Sequence, residues 1–200
     1  MAFGLPNISF VGYPVPIPCA GHAGLGLREV LRSDVPEIIE HLRALDAEDR
    51  RMRFCASVND GHVVRHAEEL LERSSFALAA HDGPLWSGPF HRPGPIRALA
   101  EFSVHGLAAE IGISVDKSLR RRGVATYLIQ TSARLLQQRG VKRIVAYTMA
   151  ENRSFLTLAR KAGAEIVRDA SEVEVFFDVD TLNRTYLQRR VSDQVFHRVA

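Results

Sequence analysis

The sequence predicts one α/β (α+β) domain on a mixed, mostly antiparallel central sheet of about six or seven strands, with helices on both faces. Three observations carry that expectation. Extended patterns over Phe76–Ala80, Ile96–Val104 and Ala108–Val115 follow one another without an intervening helix, as hairpins do. A strand–helix–strand succession from Ala108 to Met149 then demands a crossover, and so a parallel pair. The chain has 200 residues, 46% apolar and 24% charged, and a chain of this size buries about 70% of its unfolded surface without metals or disulfides.

Residues 1–26 hold Pro6, Pro14, Pro16 and Pro18 among five glycines and show no helical period, so they read as an extended arm. A first strand fits Gly26–Leu31. Asp34 with Glu37 three residues on forms a capping box, and Pro36 stands in the first turn of a helix running to about Leu45. Asp46–Ala56 is charged around Arg51–Phe54, where Phe54 would pack inward and the arginines face water. Asn59-Asp60-Gly61 restarts the chain into a helix from His62 to Arg73.

After Phe76–Ala80 comes a Pro/Gly-rich loop, 82–95, with the only tryptophan, Trp86. Ile96–Val104 is followed by a turn at His105-Gly106 and the strand Ala108–Val115. A long helix, Gly123–Arg139, puts Val124, Leu128, Thr131 and Leu135 on one face and stops at Gly140. Arg143–Met149 is a strand and Asn152–Ala162 a short helix with Phe155, Leu158, Ala159 and Ala162 on one stripe. The last strands are Ala164–Arg168 and Glu172–Val179, the latter alternating Val173, Val175, Phe177 and Val179. The domain is thus expected over 27–180, with 181–200 a helical tail.

Two cysteines exclude a disulfide framework and a multi-cysteine zinc site. No apolar run approaches the roughly 20 residues of a membrane span, and the first residues lack the basic region of a secretory signal, so the default location is cytoplasmic with no membrane partner. Lys and Arg number 26 against 23 Asp and Glu, a net charge of +3 spread along the chain, which indicates no nucleic-acid partner.

The segment from Val115 to Thr126 joins a strand to a helix and concentrates Arg120, Arg121 and Arg122 before Gly123 and Ala125. Such a junction aims unpaired N–H groups and the positive end of a helix dipole at one spot, an anion site suited to phosphate or pyrophosphate. Gly123 lets a phosphate approach the backbone and Ala125 keeps the first turn low. In isolation the arginines would equally read as a solvated charge run. The segment matches neither the nucleotide P-loop nor the three-glycine dinucleotide fingerprint.

Arg120-x-x-Gly123-x-Ala125 resembles the Arg/Gln-x-x-Gly-x-Gly/Ala pyrophosphate loop of the GNAT acyltransferases. Its setting is similar too: Ala109–Val115 resembles the family's fourth strand, and Asn152-Arg153-Ser154 through Lys161-Ala162-Gly163 its asparagine-led helix. The resemblance covers about 27–179 and implies an acetyl-coenzyme A-dependent acyltransferase without a metal. It implies that backbone groups of Ile113, Ser114 and Val115 hold the pantetheine arm, that amides of Arg121, Arg122, Gly123, Val124, Ala125 and Thr126 hold the pyrophosphate, and that Asn152 binds pantetheine or a bridging water. Asn152 also suits a simple helix cap. The front half, with Arg32, Asp34 and Arg51–Phe54, and the segment Glu151–Lys161 are similar to bacterial protein-lysine acetyltransferases of this family.

Acetyl transfer to an amine of pKa about 10.4 needs removal of a proton, a polarised carbonyl and protonation of the leaving thiolate. Glu110 is the candidate base. A two-residue turn at His105-Gly106 would set Glu101 directly opposite Glu110, and facing carboxylates repel, which raises one into a useful range; both could equally face solvent. An N–H near Ile113 or Ser114 would polarise the carbonyl. The tyrosine that many members carry on the asparagine-led helix is replaced by Ala159, leaving Ser154, Tyr147 or water to protonate the thiolate. His62 and His66, four apart on a helix, lack a carboxylate pattern that would complete a zinc site, and Cys55 reads as a buried or idle thiol. The acceptor is an amine of unread class, acyl length depends on cavity depth, and the arm and terminal helix offer surfaces for a homodimer.

Overall fold

The computed structural model describes residues 15–16, 25–74, 76–82, 94–170 and 172–185. The sequence readings for most of the arm, for Cys19, for the Trp86 loop and for the tail past residue 185 lie outside them. Eight strands form one sheet in the order β1-β2-β3-β4-β5-β6-β8-β7: β1 Val15–Pro16, β2 Leu25–Glu29, β3 Phe76–Asp82, β4 Ile96–His105, β5 Ala108–Val115, β6 Arg143–Met149, β7 Glu165–Asp169 and β8 Glu172–Asp178. All neighbours are antiparallel except β5 and β6, which the crossover makes parallel. The eighth strand is the two-residue β1, an arm segment that pairs with β2.

Among the described residues, five helices lie between the first and last strands, α1 Val35–Arg43, α2 Ala47–Phe54, α3 Asp60–Arg73, α4 Val124–Gln138 and α5 Arg153–Lys161, and a further helical segment, 179–185, follows β8. On one face Ile38 and Leu42 of α1 and Val63, Ala67 and Leu70 of α3 bury Ala77, Ala79 and Leu99. On the other, Val124, Leu128, Ile129, Ala133 and Leu136 of α4 and Leu156 and Ala159 of α5 bury the opposite sides of β3, β4, β5, β6 and β8. Short alanine side chains on β3 and β4 let both layers approach the sheet closely, and each leucine sealed there is worth about 2–5 kcal/mol against alanine. The α4 stripe is therefore rotated from the expected one, with Thr131 and Leu135 half-buried at its margin.

Three local readings need correction. Asp34 does not cap α1. Its carboxylate accepts two bonds from Arg28 at 2.7 Å and one from the Leu31 amide at 2.8 Å, because the short 3-10 turn Arg32–Asp34 carries it back toward β2. The charged stretch Asp46–Ala56, to which the sequence assigns no element, holds a helix: Asp46 accepts from the Asp49 amide and starts α2. The β4–β5 turn is Gly106-Leu107, not His105-Gly106, since His105 pairs with Ala108 and Gly106 takes the left-handed φ of 60° at the first turn position.

Candidate active site

The turn sets the register. Glu101 stands opposite Gly112 and Glu110 opposite Ser103, so the expected facing of Glu101 and Glu110 is overturned. They keep the same sheet face but sit diagonally, because the turn lies one residue further along and shifts pairing by two.

Into the space beside them comes Arg53 from the end of α2. A side chain on Gly112 would meet it: a Cβ there would fall 2.3 Å from Arg53 Nη2. Arg53 pairs with Glu101, and both side chains are only 9% exposed. His66 of α3 completes the cluster with Nε2 3.0 Å from each Glu101 oxygen. Burial, then the adjacent Arg53, holds His66 down to about 4, so the ring is neutral and Nε2–H donates to the carboxylate. Burial also lowers Arg53 to about 10, which leaves it a cation at neutral pH. The cluster reverses the sequence expectation that Arg53 faces water. Phe54 is half-buried and packs edge-on against His62 and His66, whose rings lie 5.6 and 5.0 Å away.

Glu110 itself is exposed, at the place where the sheet divides. Strands β5 and β6 pair only at Ala108–Arg143, Ala109–Ile144 and Glu110–Val145. Beyond Glu110 they part. The ladder phase identifies which groups face the opening. The Asp116 amide donates to Arg97 of the β4 side, while the Leu107 carbonyl accepts from Lys142 and Arg143 on the β6 side. Even-numbered β5 residues therefore bond β4 and odd-numbered ones face β6. Ile113 and Val115 present their amides to the opening, and Ser114 does not. The Ser114 hydroxyl is instead 2.8 Å from His41 Nε2 of α1, both groups buried.

Past β5 the 3-10 turn Lys117–Leu119 leads to Gly123, whose φ is 86°, and into α4. The first helical bond runs from the Tyr127 amide to the Gly123 carbonyl, so the amides of Gly123, Val124, Ala125 and Thr126 lie ahead of the ladder. Nothing stands within 4 Å of where a Gly123 side chain would be, which leaves room for an anion. Arg121, with φ 60°, and Arg122 are exposed beside it. Arg120 turns inward. It donates to the Val115 carbonyl at 3.1 Å and to Asp49 at 2.8 Å, while Lys117 bonds Asp46 at 2.5 Å, so α2 braces the loop.

Asn152 caps α5, accepting from the Phe155 amide at 3.2 Å and donating to Thr148 at 2.9 Å. Ala159 is sealed in the core. Of the two side chains considered as acids, Ser154 is exposed on the first turn of α5, and Tyr147 is 52% exposed on the sheet face that carries Glu110. Cys55 is exposed at the left-handed end of α2, not buried. Sequence reasoning missed Arg53, His66, His41 and the Asp46–Asp49 brace. The signal for the first was present in Gly112, the one position in β5 without a side chain.

These groups suit an extended, amide-bearing arm with a phosphate end. The opening supplies amides at Ile113 and Val115 where a strand would otherwise lie, and α4 supplies orphan amides where phosphate would sit. Comparison with known proteins agrees. The model of the acetyltransferase (GNAT) family matches residues 28–164. The Bacillus subtilis protein YwnH, provisionally named a phosphinothricin acetyltransferase, is 33% identical over 55 residues, 28% of this chain and 34% of its own, so the chain spans about a third of that relative's length. The GNAT domain of S. lividans PAT superposes with a TM-score of 0.66 at 19% identity over 83% of this chain and 97% of that one. A cAMP-binding acyltransferase from Mycobacterium smegmatis gives 0.55 at 23% over 85% of this chain and 49% of that one. PaiA N-acetyltransferase from Thermoplasma acidophilum, solved with coenzyme A, gives 0.60 at 13% over 78% and 99%.

Proposed function

The chain belongs to the acetyltransferase (GNAT) family, and from that premise we propose that it moves an acetyl group from coenzyme A directly to a primary amine, both substrates being bound together. The observation that carries this reading is the parting of β5 and β6 immediately beyond an exposed Glu110. Acetyl-coenzyme A supplies the activated acyl thioester. Ile113 and Val115 amides would hold the arm, and the amides from Gly123 to Thr126, with Arg121 and Arg122 beside them, the pyrophosphate.

Glu110 takes the proton from the incoming ammonium, directly or through water, so that the neutral amine attacks. The Ile113 amide faces the opening and is aimed to stabilise negative charge on the carbonyl oxygen. Tyr147, on the Glu110 face, is the side chain that supports the role of thiolate acid best, with Ser154 the alternative. The acceptor is a protein lysine or a small-molecule amine.

Ala159 in the core leaves α5 without a buried-site acid, which supports a second reading, an acyl-coenzyme A-binding sensor or structural module without turnover. Thiol release from acetyl-coenzyme A, measured against protein lysines, polyamines, amino acids and aminoglycosides, separates the two. Release that accelerates with one amine class and falls in Glu110→Gln supports the enzyme. Tight binding without release across the panel supports the module.

A further inference from the structure

No apolar residue of α2 is fully buried, and the helix is seated largely by ion pairs. Toward its C-terminal end Arg53 lies over Gly112 against Glu101, and Arg50 bonds Asp60 at 2.6 Å. At its N-terminal end the partners are two cations that precede the start of α4. Asp46 takes Lys117 at 2.5 Å, and Asp49 takes Arg120 at 2.8 Å with Lys117 Nζ 3.7 Å away.

Arg120 makes a second bond that gives this pair its consequence. Its Nε donates to the Val115 carbonyl at 3.1 Å while its Nη2 donates to Asp49. Val115 is the last residue of β5 and odd-numbered, so its amide and carbonyl both turn from β4 toward the opening, and β6 pairs only as far as Glu110. One planar guanidinium therefore ties the strand end, the loop and α2 together. Arginine suits the task because its donors are fixed in one fork, whereas a lysine ammonium is a single point of charge. The half-buried Asp49 carboxylate sets the direction of that fork.

We propose that Asp49 is a positioning residue for cofactor binding: by holding Arg120 on the Val115 carbonyl, it fixes the end of β5 and the lead-in to the amides of Gly123 to Thr126. The inference rests on the reading of those amides as the pyrophosphate cradle. Arg120 accordingly acts as a strut and not as a phosphate ligand. Its Nε and Nη2 are committed inward, while Arg121 and Arg122 are the exposed arginines beside the amides. Without the Asp49 charge the fork loses its anchor, and Arg120 is pushed away by Lys117, Arg121 and Arg122, which crowd the same short segment.

Calorimetric titration of the full chain with acetyl-coenzyme A, beside thermal melts, tests this. Asp49→Asn keeps the shape and removes the charge. Its Kd is expected to rise by about 3- to 10-fold with little change in Tm, because a partly exposed ion pair adds little to global stability. Asp49→Glu keeps the carboxylate and should recover most of the affinity. Arg120→Met should weaken binding by a similar factor, and the double variant Asp49→Asn with Arg120→Met no further, since Asp49 acts through Arg120. An unchanged Kd in folded Asp49→Asn overturns the proposal, as do losses that multiply in the double variant. A tighter Kd overturns it too, because Arg120 would then be a phosphate ligand once released. If Asp49→Asn does not fold, Arg120→Met decides, and an unchanged Kd there overturns the strut. The cradle is probed separately by Ala125→Glu, which sets a carboxylate in the first turn of α4, where the helix dipole tolerates it. Binding that survives Ala125→Glu sinks the reading of the cradle, whereas binding lost there but unchanged in Asp49→Asn sinks the strut alone.

Discussion

His41 and Ser114 meet at 2.8 Å across 73 residues of chain, a buried imidazole against a hydroxyl on the strand that borders the opening. The ring also lies within the influence of the Ile96 backbone, which favours its charged form but does not outweigh burial. Burial depresses this histidine to about 4, so the arrangement persists at neutral pH. It turns the Ser114 side chain toward α1, while the Ser114 amide bonds β4 and the neighbouring Ile113 amide faces the opening.

That alternation gives a test by proline, which deletes an amide. Ile113→Pro removes a donor that faces the opening and costs the β4–β5 ladder nothing, so the protein should fold while kcat drops by about 10²- to 10³-fold. Ser114→Pro removes a ladder bond to β4 and should lower the urea midpoint instead. Circular dichroism melts beside thiol-release kinetics check both.

Glu110→Gln should lower kcat/KM by about 10²- to 10⁴-fold with the calorimetric Kd for acetyl-coenzyme A unchanged, because the side chain serves the acceptor proton and not the arm. A weakened Kd would place Glu110 in cofactor binding.

The Arg53–Glu101 pair should be costly to break and cheap to delete. Arg53→Met alone strands a buried carboxylate and should cost about 3–5 kcal/mol, whereas Arg53→Met with Glu101→Leu should recover most of it. Gly112→Ala should mimic the single variant in part, since its Cβ would fall 2.3 Å from Nη2. Chemical denaturation measures all three.

Acid should destabilise the fold through buried imidazoles. His41 and His66 titrate at about 4 when folded against 6.5 when unfolded, and burial lowers His81 as well. The unfolded chain therefore takes up protons first as pH drops below 6.5, and stability falls until the folded rings protonate near 4, by at most about 3 kcal/mol for each of the first two. Above 6.5 these groups contribute no slope. His41→Gln, which can bond Ser114 without titrating, should make the decline shallower in urea melts between pH 7.5 and 4.5.

Much of this architecture was legible in the residues. The strands Ala108–Val115 and Arg143–Met149 were read with the bounds they have, since alternation and flanking turn residues mark them locally. Gly123 before α4 was equally local. The turn was misplaced by one residue because His105-Gly106 and Gly106-Leu107 both contain the glycine, and only its left-handed φ at the first position distinguishes them. Arg53 was invisible for a different reason. A lone arginine in a charged stretch reads as solvated, and its burial depends on Glu101 and Gly112, 48 and 59 positions away, which no periodicity connects to it.

The three residue pairs between β5 and β6 are also a mechanical seam. On one side lies the half-sheet β1 to β5, on the other β6, β8 and β7, and the Leu107 carbonyl, gripped by Lys142 and Arg143, reinforces the join at its closed end. A ligand lying in the open end would act as a ninth strand, splicing the halves into one continuous ladder. Amide exchange at Ile113 and Val115 should therefore slow on addition of acetyl-coenzyme A, while the amides of β3 hold their rates.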